Sequence, residues 1–391
     1  MKRILTVLLC AIALLGSIAF ILLPSQKVTA SGQATVEWLS TASPSEGKFK
    51  QVFAPTEIIF PRDFGSHEDY KTEWWYYTGN LETSTGRPFG FELTFFRRAL
   101  TPLNQSISVQ SASHWRSNQV YFAHFSISDI ADNKFYPSER FNRNAVGLAG
   151  AQAEPYSVWL DDWSVTEVTS GQVRLKAKTD RVALDLLLQQ TLPPVLQGDR
   201  GYSRKGSEPG NASYYYSIVQ QKTTGTVTVG EETFAVKGLS WKDHEYSTSL
   251  LSAGDIGWDW FSLQFDNGTA LMLFLLRREN GTIEPLSSGN FIAADGKVEL
   301  LSASDWQVEV LNTWKSPYSG AKYPAHWKIS IPKLGLSLEG KPLMANQELN
   351  ISTVYWEGAV KFQGEMQRKP VTASGYIEMT GYANKSLTDV L

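Results

Sequence analysis

Beyond residue 55, apolar and polar positions alternate with a period of two through most of the chain, the spacing of half-buried strands. In "FGFELTFFRR" (89–98), Phe89, Phe91, Leu93 and Phe95 share one face. "VYFAHFSISD" (120–129) alternates in the same way, and "VRLKAKTD" with "RVALDLLLQQ" gives two further strands between 173 and 190. The "DNG" at 266–268 separates "WFSLQF" from "TALMLFLLRR". Asn-Gly accepts positive φ, so a hairpin is predicted there, and "ENG" at 279–281 closes the next turn. "HWKISI", "GLSLEG", "TVYWEGAVKF" and "SGYIEMTGY" supply later strands. No long amphipathic helix is predicted after the first thirty residues. Many strands at short spacing make the chain all-β, a barrel or a sandwich.

One stretch departs from the simple alternation. "TEWWYYTGN" (72–80) sends Trp74 and Tyr76 to one face and Trp75 and Tyr77 to the other. A strand that wets one face does not carry aromatics on both. Plain core packing is one reading of Trp74 to Tyr77, and alternation alone does not say what else so much aromatic surface serves.

Composition narrows the function classes. The chain has 391 residues, net charge −3 and no Lys/Arg block, which argues against a nucleic-acid partner. Lys2 and Arg3 precede an uncharged apolar run (4–23), and Val28 and Ala30 suit the −3 and −1 positions of a signal-peptidase site. Residues 1–30 are therefore an export signal or, uncleaved, a membrane anchor. Either way the rest lies outside the cytoplasm, periplasmic or extracellular, with membrane contact only through that segment. Residues 31–54 are a polar tether. Cys10, the one cysteine, lies in the signal, so the mature chain has no disulfide or thiol chemistry. The Pro/Gly/Ser-rich stretch 190–217 is loop-like, but the better boundary lies in "YSTSLLSAGDIG". That gives two β-domains, 55–248 and 249–391.

Hydrolase and metal motifs fail. "HEDYK" and "HEYST" lack the second histidine of a zincin, and "GLSWK" and "GYSRKG" miss the nucleophile elbow. No phosphate loop or dinucleotide fingerprint occurs, and nothing requires a metal or any other cofactor. What remains is "WKDHEYSTS" (241–249) followed by "GWDWFSL" (257–263). Trp241, Asp243 and Glu245 share a strand face, with Lys242, His244 and Tyr246 opposite. Trp258 and Trp260 face away from Asp259, and His244 and Asp259 could share a wall. Carboxyls among aromatic rings stay protonated and act as acids. Aromatic faces stabilise cations, and a neutral histidine accepts a proton. Acid, aromatic wall and base together are what hydration of an isolated alkene needs. The same residues also suit a hydrogen-bonded network at a domain junction or plain ligand contact, and the three roles stay open. His124 reads as a core histidine or a ligand contact, and Arg97 and Arg98 as solvent-facing or paired with an acid.

These stretches, with "LQGDRGYSRKG", "NASYYYS", "SPYSGAKYPAHW" and "VYWEGAV", resemble the AttH-like family, the lipocalin-like proteins grouped with carotenoid 1,2-hydratase (hydroxyneurosporene synthase). The likeness runs from about residue 60 to 382. It implies two lipocalin-like β-barrels packed together, an apolar ligand such as an isoprenoid, carotenoid or lipid, an export signal and an ABC-transporter permease as partner. In such a fold the strand at 74–81 would line or fill a barrel on one side and pack against the neighbouring domain on the other, with Glu73 as a polar group at the rim. His244 and Tyr246 match the hydratases' essential histidine and the aromatic two places on. The hydratases' Tyr-x-Asp pair falls on "ALMLFLLRR", which has neither residue, so Asp243, Glu245 or Asp259 would supply the acid. Glu73, Trp74, Trp75, Tyr76, His124, Tyr215, Trp241, Trp258 and Trp260 are the expected ligand contacts. Binding is favoured over catalysis, with a cofactor-independent hydratase or hydrolase, using acid/base residues at the domain junction, as the alternative.

Overall fold

A computed structural model describes residues 48–103, 117–249, 251–252, 254–384, 386–389 and 391. Residues 1–47, where the sequence predicts an export signal and most of a tether, lie outside the described residues. The protein is 61% strand and 3% helical, as the alternation predicts.

The first sheet comprises β1 (Thr72–Glu82), β2 (Pro88–Ala99), β3 (Gln119–Asp129), β4 (Lys134–Arg143), β5 (Ala149–Ala153), β6 (Tyr156–Leu160), β7 (Trp163–Thr169), β8 (Gln172–Lys178), β9 (Val182–Gln190), β10 (Val195–Leu196), β11 (Tyr202–Arg204), β12 (Ala212–Val229) and β13 (Glu232–Ser247). Its order is β4-β3-β2-β1-β13-β12-β9-β8-β7-β6-β5, with β10 and β11 added to β12. The second sheet comprises β14 (Asp255–Phe265), β15 (Ala270–Arg278), β16 (Ser288–Ile292), β17 (Val298–Ser302), β18 (Gln307–Lys315), β19 (Lys322–Ile331), β20 (Leu336–Pro342), β21 (Glu348–Asn350), β22 (Val354–Met366) and β23 (Lys369–Met379). Its order is β17-β16-β15-β14-β23-β22-β20-β19-β18, with β21 on β22. Both sheets are antiparallel and curled, one into a nearly closed barrel and one into a half-barrel, as in lipocalin-like proteins. The first sheet ends at Ser247 and the second begins at Asp255.

Three apolar layers result, beside a smaller cluster in which Val52, Ile58 and Tyr70 pack on Tyr214, Tyr216 and Tyr246. Trp75, Tyr77, Phe89, Phe91, Leu93 and Phe95 fill the first barrel. Phe261, Leu263, Leu273, Trp327, Trp356 and Ile377 fill the second. Between the sheets lie Tyr76, Phe96, Tyr215, Trp241, Trp258, Trp260, Phe274 and Tyr355. The central strands β1, β2, β13, β14, β22 and β23 are thus buried on both faces, which is why β1 carries aromatics on both. Each buried aromatic withdraws ~200 Å² from water, or ~5 kcal/mol as an upper figure at ~25 cal/mol per Å². The middle layer therefore holds the two sheets together as strongly as a core. Close approach is needed there too: a Cβ on Gly375 would lie 1.8 Å from the Ser262 carbonyl oxygen. The Gly375 carbonyl accepts a bond across the junction from Asn80 Nδ2 at 3.0 Å.

Candidate active site at the junction of the two barrels

Pairing of β12 with β13 and of β13 with β1 sets the site. In that register Ser217 lies opposite Asp243 and Tyr215 opposite Glu245, and Trp74 and Tyr76 lie opposite Glu245 and Asp243. Alternation turns this set toward the second sheet, which presents Trp258, Trp260, Phe274, Tyr355, Glu357 and Glu378. Between them remains a cleft of about 30 Å³, room for about two waters. Trp74 and Glu378 are its partly exposed members and mark its open side.

Asp243 accepts hydrogen bonds from Tyr215 Oη at 2.7 Å, from Trp241 Nε1 at 2.8 Å and from Ser217 Oγ. Three donors favour the anion, but burial outweighs them and pushes the carboxyl up to about 7. Trp260 Nε1 donates to Tyr215 Oη at 3.0 Å, so the indole, the phenol and the acid form one chain. Glu245, two residues on, pairs with Lys205 Nζ at 2.7 Å and accepts from Ser213 Oγ.

Three more acids face the same layer. Glu92 accepts from Thr94 at 2.9 Å, and from Ser126 and Tyr355 at 3.2 Å. Burial pushes it up to about 7. Glu378 accepts from Trp258 Nε1 at 2.9 Å and rises, again through burial, to about 8. Glu357 takes the Tyr76 hydroxyl at 2.7 Å and is raised well above the ordinary range by burial and by Glu378 and Glu92. Acids that have, among the described residues, Lys205 as the one close cation cannot all ionise in a dry layer. His124 belongs to this face as well. Its Nδ1 meets Tyr355 Oη at 2.7 Å, and burial drops it to about 3, so the imidazole is neutral.

The opposite face of β13 carries a different network. Glu73 is fully buried, not at a rim, because the β1–β2 register sets it directly against Arg97. Arg97 Nε pairs with it at 2.8 Å and, rather than facing solvent, is itself buried. His67 Nδ1 and His244 Nε2 each lie 2.8 Å from Glu73 Oε1. Burial favours neutral Glu73, but Arg97 and His67 outweigh it and hold the carboxylate well below its usual range. Burial lowers His244 to about 4, so its Nε2–H donates to Glu73 while Nδ1 accepts from Tyr216 Oη at 2.8 Å. Tyr246 stacks on His67, ring centroids 3.6 Å apart, and Trp75 stacks on His244 at 4.9 Å. The donor atoms of His67, Glu73 and His244 lie within 4.8 Å of one another, a set that suits a transition metal. Here they satisfy one another, and Arg97 already neutralises the carboxylate.

The structure therefore brings Trp74, Tyr76, His124, Tyr215, Trp241, Asp243, Glu245, Trp258 and Trp260 to one layer. It places Glu73, Trp75, His244 and Tyr246 behind it, in the first barrel. Asp259 joins neither: it points into the second barrel, where Arg277 Nε binds it at 2.9 Å and Tyr382 Oη at 3.0 Å. His244 and Asp259 thus share no wall, because β14 turns Trp258 and Trp260, not Asp259, to the junction. Glu92, Glu357, Glu378 and Tyr355 escaped sequence reasoning. Their signal is a single acid or phenol interrupting an otherwise apolar strand.

The AttH-like family matches residues 51–382 of this sequence. The chain belongs to the AttH-like family. A Nitrosomonas europaea protein assigned to AttH, solved as a crystal structure, is 34% identical, with a TM-score of 0.75 over 86% of this chain and 100% of that one. Kievitone hydratase from Nectria haematococca matches over 88% of this chain and 98% of its own, with a TM-score of 0.63 and 16% identity, which establishes a shared fold. No curated protein matches the sequence. The AttH-like fold is thus common to proteins that retain few of the same side chains, and the chemistry has to be read from the junction itself.

Proposed function

We propose that this AttH-like protein performs cofactor-independent acid–base chemistry on a double bond of an apolar, isoprenoid-like molecule, hydration being the simplest case. One observation carries the reading. Asp243 and Glu245 stand two residues apart on one strand face, ~7 Å along the strand, the first held as an acid by burial and the second paired with Lys205. Asp243 protonates the alkene carbon, Trp74, Trp258 and Trp260 offer their faces to the carbocation, and Glu245 takes a proton from the water that adds. The hydroxyl comes from that water, the hydrogen from Asp243, and the proton taken by Glu245 returns to Asp243, so the net change is addition of one water and both carboxyls are restored. The cleft holds the water, and the substrate enters past Trp74 and Glu378 as the side chains there move aside. In this reading the apolar N-terminal segment exports the chain. The solved kievitone hydratase is a hydratase on the same fold; the assignment here rests on the side chains named.

The test is turnover of acyclic isoprenoid alkenes in oxygen-18 water, read by mass spectrometry. Product should gain one labelled water, and Asp243→Asn should lower the rate ~10²–10⁴-fold, the usual weight of a general acid. Wild-type turnover that survives in Asp243→Asn would sink the mechanism.

A second reading, a carrier of an apolar molecule, is favoured by a separate cavity of about 850 Å³ in the first barrel, within the usual size of small-molecule sites. An ABC-transporter permease as its partner belongs to that reading.

A further inference from the structure

Lys242 lies on β13 between Asp243 and Trp241 but faces the other way, into the first barrel. It is 2% exposed. Its Nζ sits 4.3 Å from the centroid of the Tyr156 ring, 4.8 Å from Phe64, 5.5 Å from Tyr216 and 5.7 Å from Tyr77. Among the described residues no hydrogen bond or ion pair reaches that nitrogen. Lys205 makes the contrast: equally buried, it has Glu245. Lys242 instead lines the 850 Å³ cavity, whose walls include Phe60, Val173, Leu192 and Ile218, and among the described residues it is the one cationic side chain there.

The ring faces favour the ammonium, but its three donors meet no acceptor, and burial pushes Lys242 down to about 7. A large share of it is free amine at neutral pH. A desolvated amine beside open space is a nucleophile toward carbonyl carbon, and this cavity sets apolar walls beside Gln189, Gln190, Thr191 and Gln221. An anionic ligand is less suited, since Glu154 and Glu167 line the same cavity. A neutral aldehyde or ketone meets no such repulsion.

We propose that Lys242 captures an apolar aldehyde or ketone as a reversible imine in the cavity of the first barrel. Nζ attacks the carbonyl carbon and the N–C bond forms. A proton moves from nitrogen to oxygen, and the C–O bond then breaks with loss of one water to leave C=N. No oxidant or reductant takes part, and hydrolysis releases the ligand unchanged. The site lies on the opposite strand face from Asp243 and does not depend on the alkene chemistry.

The full mature chain is incubated at pH 7 with decanal and sodium cyanoborohydride, which fixes an imine as a secondary amine, and is then mapped by peptide mass spectrometry. Lys242 carries ~10³ more free amine than an exposed lysine at that pH. It should gain one decyl group at least ~10-fold faster than any other lysine, a preference lost in Lys242→Arg. Asp243→Asn should still label at Lys242, no slower than wild type because the Asp243 charge can only hold the ammonium in place, so failure of the junction mechanism leaves this result readable. The wild-type map decides even if Lys242→Arg folds poorly. Decyl groups spread evenly over exposed lysines, or an unmodified Lys242, would overturn the proposal.

Discussion

Replacing Glu92 by Gln isolates one buried acid of the junction without changing its shape. Glu92 is fully buried, and its two oxygens accept from Thr94, Ser126 and Tyr355. A glutamine keeps the carbonyl acceptor, and the Ser126 hydroxyl can turn to accept from the new amide. In the folded chain the carboxyl is raised by burial from 4.5 to about 7. The unfolded chain therefore gives up this proton first as pH rises. Protonated Glu92 contributes stability that is fully present below about pH 4.5 and is lost as pH rises through 7. At 1.36 kcal/mol per pH unit, about 2–3 kcal/mol disappears between pH 5 and 8. The unfolding entropy of ~2.1 cal/mol/K per residue, applied to residues 51–382, converts this to about 3–4 °C in Tm.

The assay is thermal unfolding by circular dichroism of wild type and Glu92→Gln from pH 5 to 8. The two Tm curves should run close at pH 5 and diverge by about 3–4 °C at pH 8, with the glutamine variant higher. Parallel curves would show that Glu92 is already ionised in the fold, and the picture of a dry acid layer would fail with it.

The other expectations concern both faces of the junction. Arg97→Met leaves the Glu73 carboxylate buried without its guanidinium and should cost about 3–5 kcal/mol in urea unfolding, with much of that recovered in the Glu73→Gln/Arg97→Met double variant. Gly375→Ala drives a Cβ to 1.8 Å from the Ser262 carbonyl oxygen, so the β14–β23 pairing must shift. A lower urea midpoint, with burial-sensitive tryptophan fluorescence changed at the junction, is the expected reading. Because Asp243 must be protonated to act, kcat/KM for the alkene reaction should fall ~10-fold per pH unit above about 7. A rate that instead rises there would assign Asp243 to the base.

The strands were legible because period-two alternation survives in a sheet buried on both sides whenever one face is apolar and the other carries polar groups. "FGFELTFFRR" shows both: Phe91, Leu93 and Phe95 fill the barrel while Glu92, Thr94 and Phe96 face the second sheet. Pairings distant in sequence were not legible. Nothing local says that β1 lies against β13, so the contact of Glu73 with His244 was invisible. The contact of Glu73 with Arg97 was nearer to hand. Fixing the β1–β2 turn at residues 83–87 sets Glu82 against Pro88 and hence Glu73 against Arg97. Glu73 read as a rim residue only because that register was left unset. Glu357 and Glu378 come from strands more than a hundred residues beyond β13, and only the packing of two sheets brings them to Asp243.

The consequence of that packing is a strand with two unrelated environments. Along β13, Asp243 and Glu245 look toward the second sheet, and Lys242, His244 and Tyr246 look into the first barrel. On β12 the neighbours Tyr215 and Tyr216 divide likewise, the first donating to Asp243 and the second to His244. A register slip of one residue would exchange every partner. The bulge of β12 between Ile218 and Gln221 lies just beyond the set, so irregular pairing is kept away from these positions. The second sheet then has a physical task beyond carrying side chains. By covering the outer face of β1, β2 and β13 it removes water from acids that would otherwise be ordinary surface carboxylates, and only in that dry layer can Asp243 keep its proton at neutral pH. Separating the sheets should therefore abolish the acid while leaving the Glu73–Arg97 network intact, since every member of that network belongs to the first barrel and the chain leading into it.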